Sequence, residues 1–300
     1  MFTGLRQQRA RPLVYARRWV AVSPARLDRV VHRCAATEMI PLSDENPTLH
    51  TPWMTWLLIG TTVAVWMILQ GAGSGEALAA SVCNFGLVPG ELTHQARVGL
   101  AVPLGDHVAC IVDREPINRF TPLLSMFLHG SWGHLLGNML FFWVFGNNIE
   151  DSMGPGRFLL FYLICGLVAA GAHVLVEPGS PVPTVGASGA ISGVMGAYLV
   201  LYPRVRVNML FIFIIFFKVI AIPAWLVLLW WFAVQVLTGL PQLMPMRPEI
   251  SGGVAVWAHV GGFVAGVILI KLFENRRLVA KRDEIRAIEH PHRHLDLPRL

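Results

Sequence analysis

The sequence predicts an all-α polytopic membrane protein of six transmembrane helices, with a long outer loop between the first and the second. Three observations predict it. Of the 300 residues, 54% are apolar and only 14% charged, with a mean hydropathy of +0.56, whereas soluble domains carry about a quarter charged residues. The apolar residues gather into runs close to the roughly 20 residues that cross a bilayer. Lys and Arg fall unevenly on the two sides of those runs, as they do around membrane helices.

Three regions follow. Residues 1–50 form a basic segment with eight arginines from Arg6 to Arg33 and no apolar stretch of signal-peptide type. It is expected to be cytosolic and partly disordered, with Met39 opening the ordered protein; a mis-assigned start or a transit peptide are the alternatives. Residues 51–273 form the membrane domain, and residues 274–300 a charged, solvated and helical cytosolic tail.

The first span is read over 53–70, with Trp53, Trp56 and Trp66 as interfacial anchors. The second lies in the uncharged run from Phe120 to Asn148, over 132–146, and the third over 158–176. The fourth, 186–201, is short and glycine-rich and stops before Tyr202 and Pro203. The fifth is taken as 219–237, with Pro223 near its start, where a missing donor costs least. Residues 254–273 form the sixth. The apolar piece 207–217 is expected to be an interfacial connector or the beginning of a longer, tilted fifth helix.

With both termini in the cytosol, that side carries 20 Lys and Arg residues and the other carries four, Arg97, Arg114, Arg119 and Arg247. This asymmetry accounts for the net charge of +6 without nucleic acid. It also places the starts of spans two, four and six at the outer face. Polar residues sit at all three: His129, His134 and Asn138, then Ser188, then His259. Ionisable groups in hydrocarbon are costly, so such a group is a functional candidate by default. A lone membrane serine more often bonds to its own helix or packs as a small residue. Only the coincidence of three helix starts makes Ser188 more than that.

His134 and Asn138 are four residues apart and share a helix face, a suitable pair of oxyanion donors opposite a hydroxyl. His129 and His134, five apart, do not share one, so His129 is expected to bond to backbone and hold the preceding loop. Ser188 lies in the first turn of its helix, where amide N–H groups and the helix dipole favour negative charge. It needs a base, and His259 supplies one if helices four and six approach closely. The pairs Gly189/Gly193 and Gly262/Gly266 permit that approach. Neither helix carries a carboxylate, so the expectation is a Ser–His dyad. His173 is read as interfacial and unpaired.

The stretches HGSWGHLLGN (129–138), GASGAISG (186–193) and AHVGGFVAG (258–266) resemble the three signatures of the rhomboid family of intramembrane serine proteases, in the family's order. The resemblance covers roughly residues 39–273 and implies a six-transmembrane-helix rhomboid-like bundle. It implies Ser188 as nucleophile, His259 as general base and acid, and His134, Asn138 and the Ser188 backbone N–H as oxyanion donors. His129, Gly186, Gly189, Gly262 and Gly266 become structural residues near the site. Substrates would be transmembrane proteins, cut near the outer end of a span at small residues in helix-destabilised stretches, with no metal and no organic cofactor. Two departures stand out. The aromatic that many members place four residues after the nucleophile, against the histidine, is Ser192 here, so support for His259 is expected from elsewhere. A Trp-Arg pair of the first loop is replaced by Asn118 and Arg119. Glu150 and Arg157 match acidic and basic positions after the second helix and are read as structural.

The outer loop, 71–119, holds Cys83 and Cys110 on the side that is oxidising in a bacterial envelope, which predicts a disulfide between them. Cys34 and Cys165 are expected to be free. Hydrolysis needs water at Ser188, so the three polar helix starts are expected to line a wet cavity. Substrate would enter laterally past helix five and residues 238–253, with Gly239, Gly252 and Gly253 allowing movement. A metal site on His129, His134 and His259 is disfavoured because the first two diverge and no HExxH motif is present. A transporter or membrane binder would need no nucleophile. The expected setting is a multi-pass protein of a bacterial cytoplasmic membrane that binds no nucleic acid; the sequence leaves the oligomeric state open.

Overall fold

A computed structural model describes residues 19–20, 39–104, 109–113, 119–213, 216–243 and 255–289. Most of the arginine-rich segment with Cys34, and Arg114, Asn118, Arg247, Gly252, Gly253 and the end of the C-terminal tail, lie outside the described residues. Helices dominate. They are α1 (Trp53–Ala64, extended by a π-helical turn Val65–Leu69), α2 (Gly75–Phe85), α3 (Trp132–Met153), α4 (Pro155–Val176), α5 (Ser188–Leu201), α6 (Ala224–Gly239), α7 (Val256–Phe273) and α8 (Arg276–Glu289). Three helical stretches are long and apolar enough to cross a membrane: α4, α6 with its 3-10 continuation to Leu243, and α7. The stretch Trp53–Leu69 and α5 are apolar but shorter.

The centre of the molecule is α5, packed on α3, α4, α6 and α7. Its residues Gly189 to Tyr198 are all buried. At 14 residues it is about 21 Å long, and a helix surrounded on all sides needs small residues where neighbours come closest. A Cβ on Gly262 would sit 2.0 Å from the Gly189 carbonyl oxygen, and one on Gly266 would sit 1.8 Å from that of Gly193. Helices α5 and α7 therefore touch backbone to backbone, a contact that any side chain at these positions would separate.

The chain is not all-α. Strand β1 (Met39–Asp44) pairs antiparallel with β4 (Arg206–Phe213), which pairs with β5 (Phe216–Pro223). Of the connector 207–217, the described residues thus lie in two paired strands, and the expected fifth span loses its first five residues to β5 and begins at Ala224. The stretch is rich in Val, Ile and Phe, which favour a pleated surface, and Pro223 ends the strand where it cannot continue a ladder.

The stretch 71–119 contains α2, the helical turn Pro89–Leu92 and a short antiparallel pair, β2 (Ala101–Pro103) with β3 (Ala109–Ile111). Cys83 of α2 and Cys110 of β3 are joined by a disulfide, Cα–Cα 5.4 Å, while Cys165 is free and buried. Trp53 and Trp56 are exposed as anchors should be, but Trp66 is wholly buried. Its ring meets Trp132 edge to face, and Gly73 lies over it.

At the far end of α3 the chain builds a second polar cluster. Glu150 accepts from the Met54 and Thr55 amides and the Thr55 hydroxyl, capping α1 from a distance. Asp151 accepts from the Leu49 and His50 amides and pairs with Arg282 of α8. Arg282 also donates to the Asn148 carbonyl and the Tyr202 hydroxyl, with its guanidinium over the Tyr202 ring. It is completely buried, so the region after 273 is not simply a solvated tail. Arg157, by contrast, is exposed.

Candidate active site

Ser131 starts α3. Its hydroxyl accepts from the His134 amide, as an N-cap serine does. The cap fixes the helix so that His134 and Asn138, one turn apart, both line a cavity of about 610 Å³. His129 precedes the cap, so helical spacing does not govern it. Its ring lies edge to face with His134, centroids 5.0 Å apart, rather than diverging from it. The loop is held through the His129 backbone, whose N–H donates to Gln70 Oε1 and whose carbonyl accepts from Gln70 Nε2, both at 2.8 Å. Burial, with His134 adding to it, pushes the His129 ring down to about 3, so it stays neutral across the working pH range.

Opposite them, Ala187 caps α5 and Ser188 is its first residue. The preceding loop is tied twice, by Gly186 N–H to the Ser125 carbonyl and by mutual backbone bonds between Thr184 and Leu87. Gly186 has φ +134°, and a Cβ there would stand 2.8 Å from His134 Nε2 and Cε1. Glycine is thus required twice over, by backbone conformation and by the ring against it.

The Ser188 hydroxyl lies 2.7 Å from His259 Nε2. His259 is in the first turn of α7 and 9% exposed. Its other nitrogen, Nδ1, is 2.8 Å from Gln235 Oε1 of α6, and the Trp231 ring, one turn earlier on that helix, is 5.7 Å away. Ser192 donates to the Ser188 carbonyl at 2.6 Å, so the side chain four residues after Ser188 turns back on its own helix while α6 supplies the contacts to His259.

Ser188, His259, His134 and Asn138 all line the one cavity. Asn138 is 8% exposed, and its Nδ2 has no protein partner among the described residues. His134 Nδ1 accepts from the Gly130 amide, which leaves the hydrogen on Nε2. His173 also lines the cavity. It is buried and bonded to Thr184 Oγ1 at 3.0 Å, not interfacial and unpaired. Among the described residues no three His, Cys, Asp or Glu side chains gather as a metal-holding set. The sequence reasoning missed Gln70, Thr184, Trp231 and Gln235. The two glutamines carried a visible signal, as amides at the end of one apolar run and inside another.

A family profile described as Rhomboid domain matches residues 117–276. The chain is 38% identical over 148 residues to Rhomboid protease GluP of Bacillus subtilis, covering 49% of this chain and 24% of that protein. It is 28% identical over 169 residues to RHOMBOID-like protein 5 of Arabidopsis thaliana, covering 51% and 53%. With the mitochondrial presenilin-associated rhomboid-like protein of Bos taurus it shares 34% identity over 92 residues, 30% and 24%. The chain therefore spans between a quarter and about half of the length of these relatives. Together with the long apolar helices, the profile match makes it an integral membrane protein.

Proposed function

We propose that this chain, which belongs to the rhomboid family, is an intramembrane serine endopeptidase that cuts transmembrane protein substrates near the outer end of a span. The observation that carries the proposal is the 2.7 Å contact between Ser188 Oγ and His259 Nε2 in a cavity shared with His134 and Asn138. Ser188 attacks the scissile carbonyl carbon while His259 Nε2 takes its proton. The oxyanion then accepts from Asn138 Nδ2, His134 Nε2–H and the Ser188 amide, a reading supported by the cavity that these three residues share. As the C–N bond breaks, His259 returns the proton to the leaving amine. A water, deprotonated by the same histidine, then attacks the acyl carbon, and the bond from that carbon to Ser188 Oγ breaks as His259 returns the proton to Oγ.

In this reading residues 51–273 form the membrane domain, with six spans in the bundle: α1 with its π turn, α3, α4, α5, α6 and α7. Residues 1–50 and 274–300 flank it on the cytosolic side, and residues 71–119 form the long outer loop. The asymmetry of Lys and Arg supports this orientation, in a bacterial cytoplasmic membrane. Helix α6 is the element that moves to admit substrate. It leaves large apolar side chains such as Trp230 and Leu237 exposed, as a helix facing lipid does.

The test is cleavage of a single-span substrate in detergent by wild type, Ser188→Ala and His259→Ala. Each variant should lose activity by about 10³-fold or more, with its thermal midpoint unchanged. Undiminished cleavage by either would sink the dyad, and a chelator-sensitive activity surviving Ser188→Ala would favour a metal site instead.

A further inference from the structure

A serine–histidine pair works only if the second ring nitrogen carries the hydrogen, because that leaves the lone pair on the nitrogen facing the serine. In the described structure the acceptor for that hydrogen comes from α6. Gln235 Oε1 is 2.8 Å from His259 Nδ1. An acceptor there fixes the hydrogen on Nδ1 and presents the Nε2 lone pair to Ser188 Oγ. Helix α6 is otherwise apolar between Ala224 and Leu237. Gln235, the twelfth of its 16 residues, is the one amide in that run, and His259 is its partner. Trp231 lies one turn earlier on the same face and covers the ring; Phe232 stacks on Phe263, one turn beyond His259 on α7. Three side chains of α6 thus seat the segment of α7 that holds the imidazole.

We infer that Gln235 is the positioning residue for His259, a neutral third member that sets the tautomer and direction of the base from the neighbouring helix. The inference rests on the reading of Ser188 and His259 as nucleophile and base. It also makes the base dependent on α6: when that helix swings away, the acceptor leaves with it, and Ser188 faces an undirected imidazole. Chemistry then requires α6 to be seated again, so admitting a substrate and cutting it become separate steps.

The experiment compares Gln235→Met, which keeps length and removes the acceptor, with Gln235→Glu, which keeps the acceptor and adds charge. Three readouts are taken on full-length protein in detergent: kcat and KM on a single-span substrate, the pH profile of kcat/KM, and the rate of Ser188 labelling by a small fluorophosphonate. Gln235→Met should lower kcat and the labelling rate together by about tenfold or more with KM unchanged. Gln235→Glu should retain most of the activity above the acidic limb and move that limb to higher pH, because a carboxylate stabilises the imidazolium. The other titratable groups acting on His259, His134 of α3 and His173 of α4, are the same in every variant and do not produce the difference. Wild-type kcat and labelling in Gln235→Met would overturn the inference. So would a loss in substrate cleavage alone with labelling intact, which would assign Gln235 to substrate entry, or an acidic limb unmoved in Gln235→Glu. Cleavage persisting in Ser188→Ala would instead remove the reading beneath it.

Discussion

Helix α3 ends in polar residues at both extremities, about 33 Å apart over its 22 residues, and the two ends use burial in opposite ways. At the Arg282 end, carboxylates, amides and a guanidinium from β1, α1, α3, α5 and α8 bond mostly to one another, with Asn148 Oδ1 and Arg282 Nε left without a partner among the described residues, and none of these groups lines the cavity at the other end. At the Ser188 end, side chains from three helices point into open space, and Asn138 Nδ2 finds no protein partner. Buried polar groups that satisfy each other hold elements together. Buried polar groups left facing a cavity are available to a reacting molecule, at a cost in stability. The difference separates a structural cluster from a candidate catalytic one within a single helix.

Breaking the comparison at its strong end should give the largest effect on stability. Arg282→Ala leaves Asp151 buried without its counter-charge, which costs about 3–5 kcal/mol. The thermal midpoint in detergent should fall sharply, while the fraction still folded labels at Ser188 at the wild-type rate. A matching loss of labelling would join the two clusters energetically.

At the other end, Asn138→Ala should do the reverse. Removing one oxyanion donor costs about 10²-fold in kcat, with thermal stability unchanged or slightly raised, since an unpartnered amide leaves the interior. A fall in midpoint with kcat intact would make Asn138 a structural residue and erase the distinction.

The last effect is on pH dependence rather than on activity and concerns Asp44. Burial raises its carboxyl to about 7, against opposing bonds from Tyr198 and the charge of Arg282. The unfolded chain loses this proton near pH 4 and the folded protein keeps it to about pH 7. Between those values the folded state binds more protons, so this group's contribution makes stability fall as pH rises and levels off above pH 7. Asp44→Asn, which can still accept from Tyr198, should flatten that slope in thermal scans from pH 4 to 8. An unchanged slope would show that the carboxyl ionises normally.

The candidate site was legible because Ser188, His134, Asn138 and His259 are polar residues at the starts of apolar runs, where position along a helix implies depth. The helix-packing glycines were legible for a related reason: small residues four apart leave a flat face whatever they meet. Other features were hidden by physics that sequence spacing does not carry. His129 looked like a helical residue facing away from His134, but Ser131 caps the helix after it, and a serine before an apolar run is a signal that could have moved the boundary. Residues 207–222 form an apolar run that fits helix or strand equally; pairing with residues 39–44, far off in sequence, decides for the strand. Gln235 stands out as an amide in an apolar run, but that its partner is His259 follows only from α6 lying across α7, a long-range contact. Arg282 resembled any tail arginine until its partners at the end of α3 came into view.

That last contact also bears on how the protein is made. Arg282 bonds to a carbonyl 134 residues earlier. At about 5–20 residues per second of synthesis, the end of α3 waits roughly 7 to 27 s for its cation. Until α8 is made, Asp151 has only the Leu49 and His50 amides and the His50 ring to bond to, so the last charge of this cluster joins helices assembled long before it.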